Sequence, residues 1–80
     1  MQRLLYESGD EVHIGDRVDC CGYPGTVVFA VEQDEWTPEF PKEQWDYLEH
    51  GFMVREDGGN LIHYTEATGC ITLLSRASTA

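Results

Sequence analysis

The sequence predicts a mainly β fold: a small, strongly bent antiparallel barrel of five or six strands with one short helical segment. Three observations carry this. Short β-branched and aromatic runs recur at tight spacing, glycine- and proline-marked turns separate them, and only the stretch near Pro41–Leu48 reads as helical turns. The 80 residues make one domain, 1–80. Its core is thin, because a chain this short buries only roughly 60% of the surface it exposes when unfolded.

The elements follow in order. RLLYES (Arg3–Ser8) reads as a first strand or an N-terminal arm, and SGDE turns the chain after it. VHIGDRVDCC has apolar points at Val12, Ile14, Val18 and Cys20, interrupted by a turn at Gly15–Asp16. GYPG (Gly22–Gly25) reads as the next turn, since Pro24 presets its own φ and glycines flank it. TVVFAVEQ is the clearest strand. Strict alternation puts Val27, Phe29 and Val31 on one side, with Val28 and Ala30 on the other. GFMVRED and LIHYTE form a hairpin through GGN that sets Phe52 and Val54 against Ile62 and Tyr64. CITLLSR closes the fold, and ASTA is a frayed end.

An acidic, aromatic insert occupies about 32–50. Glu32, Asp34, Glu35, Glu39, Glu43, Asp46 and Glu49 stand against Lys42 alone, with Trp36, Phe40, Trp45 and Tyr47 interleaved. PKEQWDYL predicts one or two helical turns, with Pro41 at the first helical position. Trp45 and Leu48, three apart, dock on the core. The aromatics have two readings: they tuck into the thin core, or they anchor a partner. A calcium loop is disfavoured, because no glycine interrupts the stretch before Gly51.

Gly15, Asp16, Arg17 and Val18 before a turn, then Gly25, Thr26 and Val27 after it, resemble the KOW and Tudor-like class of SH3-like barrels. The resemblance implies an SH3-like barrel and a module that binds RNA or protein. The basic residues that RNA needs are missing: Arg17 stands beside Asp16 and Asp19, so no direct nucleic-acid binding is expected. In size, charge and the run GDRV, GTVVFAV, GFMV, DGGNLIHY, LLSR, the chain is similar to small acidic bacterial proteins. Among these are immunity proteins of polymorphic and contact-dependent toxins, and phage inhibitors that mimic nucleic acid. That likeness implies a non-enzymatic inhibitor, most specifically an immunity protein that neutralises a cognate toxin domain. The alternatives are such a phage-derived mimic, or a KOW/Tudor-like adaptor that takes a peptide or methylated side chain near Tyr23, Phe52 and Tyr64.

Charge sets the partner class. Fifteen acids against five bases give a net charge of -10, which repels phosphate backbones and anionic membranes and attracts basic protein surfaces. The expected partner-binding residues are Asp34, Glu35, Trp36, Glu39, Phe40, Glu43, Trp45 and Asp46, with Trp36 as anchor. No nucleophile–base pair, phosphate loop or metal-ligand spacing occurs, so no catalytic residue, metal or other cofactor is expected. Cys20 and Cys21 are neighbours and point to opposite strand faces. A zinc site would need Cys70, His13, His50 or His63 in addition. Reduced thiols are expected, with Cys20 and Cys70 in the core and Cys21 at the surface. No apolar run nears the ~20 residues of a membrane span. The apolar part of MQRLLYESGDE is too short for a signal peptide, so a cytoplasmic setting is expected.

Overall fold

The computed structural model describes residues 4–67, 69 and 71–76. Its five strands are β1 (Arg17–Cys20), β2 (Tyr23–Ala30), β3 (Phe52–Glu56), β4 (Leu61–Tyr64) and β5 (Ile71–Ser75). They form one antiparallel sheet in the order β4-β3-β2-β1-β5. Helix α1 (Lys42–Trp45) runs directly into a 3₁₀ turn (Asp46–Leu48), a single helical segment of 7 residues. The expected mainly β class with one short helix therefore holds. The sheet is not closed, and β4 and β5 form its two edges.

Residues 4–6 form the N-terminal arm rather than a strand. Leu5 and Tyr6 make only isolated bridges, to Glu11 and to Ala67. Leu4 and Tyr6 are nevertheless buried, because Gln33 clamps the arm. The Gln33 side-chain amide donates to the carbonyls of Leu4 (3.1 Å) and Val12 (2.5 Å), and its oxygen accepts the Leu4 N–H (3.0 Å). Beneath the arm, Asp16 is 1% exposed. Its carboxylate accepts the Tyr6 hydroxyl (2.7 Å) and the His13 N–H (2.9 Å), and Arg76 approaches to 3.3 Å. A buried charge needs such partners, since an unpaired one is costly.

The β1–β2 turn lies one step earlier than GYPG suggested. Cys20 pairs with Tyr23, so the loop is Cys21–Gly22 alone, and Tyr23, Pro24 and Gly25 belong to β2. Cys21 has φ 57° and Gly22 φ 96°. Positive φ at both loop positions is the type I′ pattern, whose backbone twist matches the strands it joins. Pro24 accepts the Asp57 N–H through its carbonyl (3.0 Å), a bond that needs no donor from proline. The expectation of reduced thiols is corrected at Cys21, which is disulfide-bonded. Cys20 is the free, buried thiol expected there. Burial pushes its pKa up, and its hydrogen bond with the Tyr64 hydroxyl partly offsets this. The expectations for Cys70 and for ASTA fall outside the described residues.

Strict alternation in β2 also fails, at a bulge. Val27 faces Val54 and Phe29 faces Met53, leaving Val28 as the extra residue. The bulge divides the strand between two cores. Val27 and Ala30 join Leu4, Tyr6, Val12, Val18, Cys20, Phe52, Val54, Ala67 and Ile71 in the larger one. Val28 and Phe29 join Phe40 and Met53 in the smaller. The Val28 carbonyl accepts the Thr37 hydroxyl at 2.9 Å, so the insert supplies a partner at the bulge. The second hairpin has the expected register, Phe52 opposite Tyr64 and Val54 opposite Ile62. The Phe52 and Tyr64 rings stack at 5.5 Å.

Candidate functional site

The insert leaves β2 through a tight loop. Ala30 and Glu35 exchange backbone hydrogen bonds (2.9 and 3.0 Å), with Asp34 at φ 53° between them. Glu35 turns back into the fold: its carboxylate accepts the Ile14 N–H (2.9 Å) and the His13 ring N–H (2.8 Å). Trp36 stacks on Phe29, with centroids 5.1 Å apart, and donates its indole N–H to Asp34 (2.8 Å). Lys42 reaches the same carboxylate at 3.1 Å. The Trp36 hydrogen bond, followed by Lys42, holds the Asp34 carboxyl below the usual range. Phe40 is buried in the smaller core, with the Arg55 guanidinium 5.6 Å from its ring centre and bonded to Glu39 (3.1 Å).

The helical segment separates two faces. Trp45 and Leu48 dock on the smaller core, as their spacing of three predicts. The Trp45 indole N–H is buried and has no acceptor among the described residues. On the outer face Glu43, Asp46, Tyr47 and Glu49 are exposed. Tyr47 is 67% exposed and stacks over Trp45 at 6.3 Å. No side-chain partner among the described residues engages Glu43, Asp46 or Glu49.

The eight residues expected to bind a partner thus fall into two sets. Asp34, Glu35, Trp36, Phe40 and Trp45 mainly build the insert and its core. Glu43 and Asp46 point outward unpaired, and Glu39 is exposed but tied to Arg55. Tyr47 was absent from the expected set. Its signal was present in the sequence: it sits four residues after Glu43, on the face opposite the one that Trp45 and Leu48 use.

Every Lys and Arg side chain among the described residues is already paired. Arg17 holds Asp57 with two bonds of 2.7 Å, Lys42 holds Asp34 (3.1 Å), Arg55 holds Glu39 (3.1 Å) and Arg76 reaches Asp16 (3.3 Å). The carboxylates that remain without a cation are therefore a surplus of negative charge. Of the residues named for the adaptor alternative, Phe52 is fully buried and stacked on Tyr64, and Tyr23 lies exposed at the β1–β2 hairpin. No three His, Cys, Asp or Glu side chains among the described residues are grouped to hold a metal. His13 lies between Glu35 and Glu11 (3.4 Å), and His63 donates Nε2–H to the His50 carbonyl (2.7 Å). No helix among the described residues is long and apolar enough to cross a membrane.

Comparison with protein families, with curated proteins and with solved structures finds no match. Fold and site together define the class only: a small, mainly β domain with an open five-stranded sheet and an acidic helical face.

Proposed function

We propose that this chain is a non-enzymatic acidic inhibitor that binds a basic protein surface, and in its most specific form an immunity protein that neutralises a cognate toxin domain. The observation that carries the reading is the contrast in pairing: the Lys and Arg side chains among the described residues are all paired within the chain, while exposed Glu43, Asp46 and Glu49, close to Tyr47 in sequence, have no side-chain partner among the described residues. Such a segment offers an exposed aromatic ring together with unpaired carboxylates, and Arg or Lys of a partner would pair with them. Opposite charge also speeds encounter and makes it salt-dependent. A cytoplasmic site of action belongs to the same proposal and stands against the Cys21 disulfide, which favours an oxidising setting.

The test is a pull-down from the native host, then affinity measurements with Tyr47→Ala and with Glu43→Lys combined with Asp46→Lys. The double charge reversal is expected to weaken binding at least about tenfold and to flatten its salt dependence. Tyr47→Ala is expected to act mainly on the dissociation rate. Unchanged affinity in both variants would remove this face from the interface.

A further inference from the structure

β5 is an edge strand, and among the described residues β1 is its one strand partner. A groove of about 400 Å³ runs beside it, lined by Ile71, Thr72 and Leu73 and also by Glu7, Ser8 and Asp10. Consecutive strand residues point to opposite faces, so a groove that touches all three follows the strand's edge rather than one face. An unpaired edge is a template for another chain unless a charge, a proline or a bulge guards it. Ile71, Thr72 and Leu73 carry neither charge nor proline. The guard comes one residue later: Ser75 opposes Arg17 and Leu73 opposes Val18, so Leu74 is the extra residue of a bulge and is 55% exposed.

The geometry points to the β5 edge at Ile71–Leu73 as a docking site for an extended, basic peptide segment of a partner protein, added as a further strand. Main-chain hydrogen bonds to the open edge would supply affinity, and Leu74 an apolar contact beside it. Charge selects the occupant. Among the described residues, Glu7 is exposed without a side-chain partner, Asp10 is bonded to Ser8, and no Lys or Arg lines the groove. Nearby Arg76 is occupied by Asp16. A second copy of this chain would bring the same carboxylates and the same net charge of -10, so self-pairing is opposed. The site lies apart from the helical face of the insert and does not depend on it.

The test titrates the full chain, labelled with ¹⁵N, with a blocked synthetic peptide alternating lysine and valine. A glutamate–valine peptide serves as control. The lysine peptide is expected to shift the amides of Ile71–Leu73 and Glu7–Asp10 and to slow their hydrogen exchange, while the control does neither. Thr72→Lys and Glu7→Lys change exposed side chains, and each is expected to weaken the lysine peptide about tenfold. Glu43→Lys with Asp46→Lys should leave it unchanged, which separates this site from the insert face. Four outcomes overturn the proposal: no binding up to ~1 mM peptide, equal binding of both peptides, shifts centred on Glu43–Glu49, or a dimer in sedimentation whose protected edge is β5.

Discussion

The two cores of this small domain are built on different principles. The larger is a sandwich of mostly aliphatic side chains from β1, β2, β3 and β5, sealed by the arm residues Leu4 and Tyr6. The smaller is mostly aromatic: Phe29 touches Trp36, Phe40 and Trp45 at ring-centre distances of 5.1, 6.0 and 5.7 Å, with Met53 beside them. One bulge at Val28 lets a single strand feed both. The larger core stabilises the sheet. The smaller turns an acidic insert, which would otherwise be a solvated loop, into an ordered face, because its aromatics contribute burial that its carboxylates cannot.

The strongest way to break that division is to empty each core in turn. Phe29→Ala and Phe52→Ala each remove a fully buried ring and should each cost about 3–5 kcal/mol, a large share of a small domain's stability. They should differ in readout. Before unfolding, Phe29→Ala should red-shift the emission of Trp36 and Trp45, which pack on that ring, whereas Phe52→Ala should leave the tryptophan emission unchanged. Equal emission shifts in denaturant-free buffer would show that the two cores are one cooperative unit.

Next in size is the polar joint under the arm. Asp16→Ala leaves the Tyr6 hydroxyl and the His13 N–H without their acceptor and should cost about 3 kcal/mol by chemical denaturation. Tyr6→Phe keeps the carboxylate's other partners and should cost roughly 1–2 kcal/mol.

Alkaline titration probes the larger core alone. Burial, then the bond to Asp16, raises the Tyr6 pKa, and burial raises Tyr64 to about 12. Both folded values lie above the unfolded phenol value of 10.0, so the folded state holds the proton longer. Both contributions are complete below pH 10; that of Tyr64 is lost as pH rises through about 12, and that of Tyr6 goes on falling above it. Thermal melts should therefore fall across that interval, and Tyr6→Phe should lessen the fall. The smallest effects belong to the outer face. Tyr47→Ala and Glu43→Lys should each change stability by no more than about 0.5 kcal/mol, because neither side chain is buried. A larger loss would mean that the face is structural.

Local pattern was enough for the strand-rich class, the Phe52–Tyr64 hairpin register, the short helical segment near Pro41–Leu48 (though Pro41 caps it in an extended conformation instead of taking the expected first helical position) and the inward docking of Trp45 and Leu48, since each depends on neighbours within a few residues. The net charge of -10 and the concentration of acids between Glu32 and Glu49 were likewise a matter of composition. What the tertiary structure decided are relations between distant residues. Only the fold shows that β2 bulges at Val28, because the reason lies in the Thr37 hydroxyl and the aromatic cluster. Only the fold makes Gln33 a clamp for an arm 29 residues away, and seats Asp16 against Arg76. Gly51 is the same kind of residue: at φ 96° it passes so close to the Tyr64 carbonyl and to His63 Nε2 that a Cβ has no room, a crowding set by β4 rather than by its own neighbours. The division of the acidic insert into internally bonded carboxylates and free ones also waited on the fold. Charge can be counted along a chain, but which carboxylate meets a cation and which meets water depends on where the backbone carries each one.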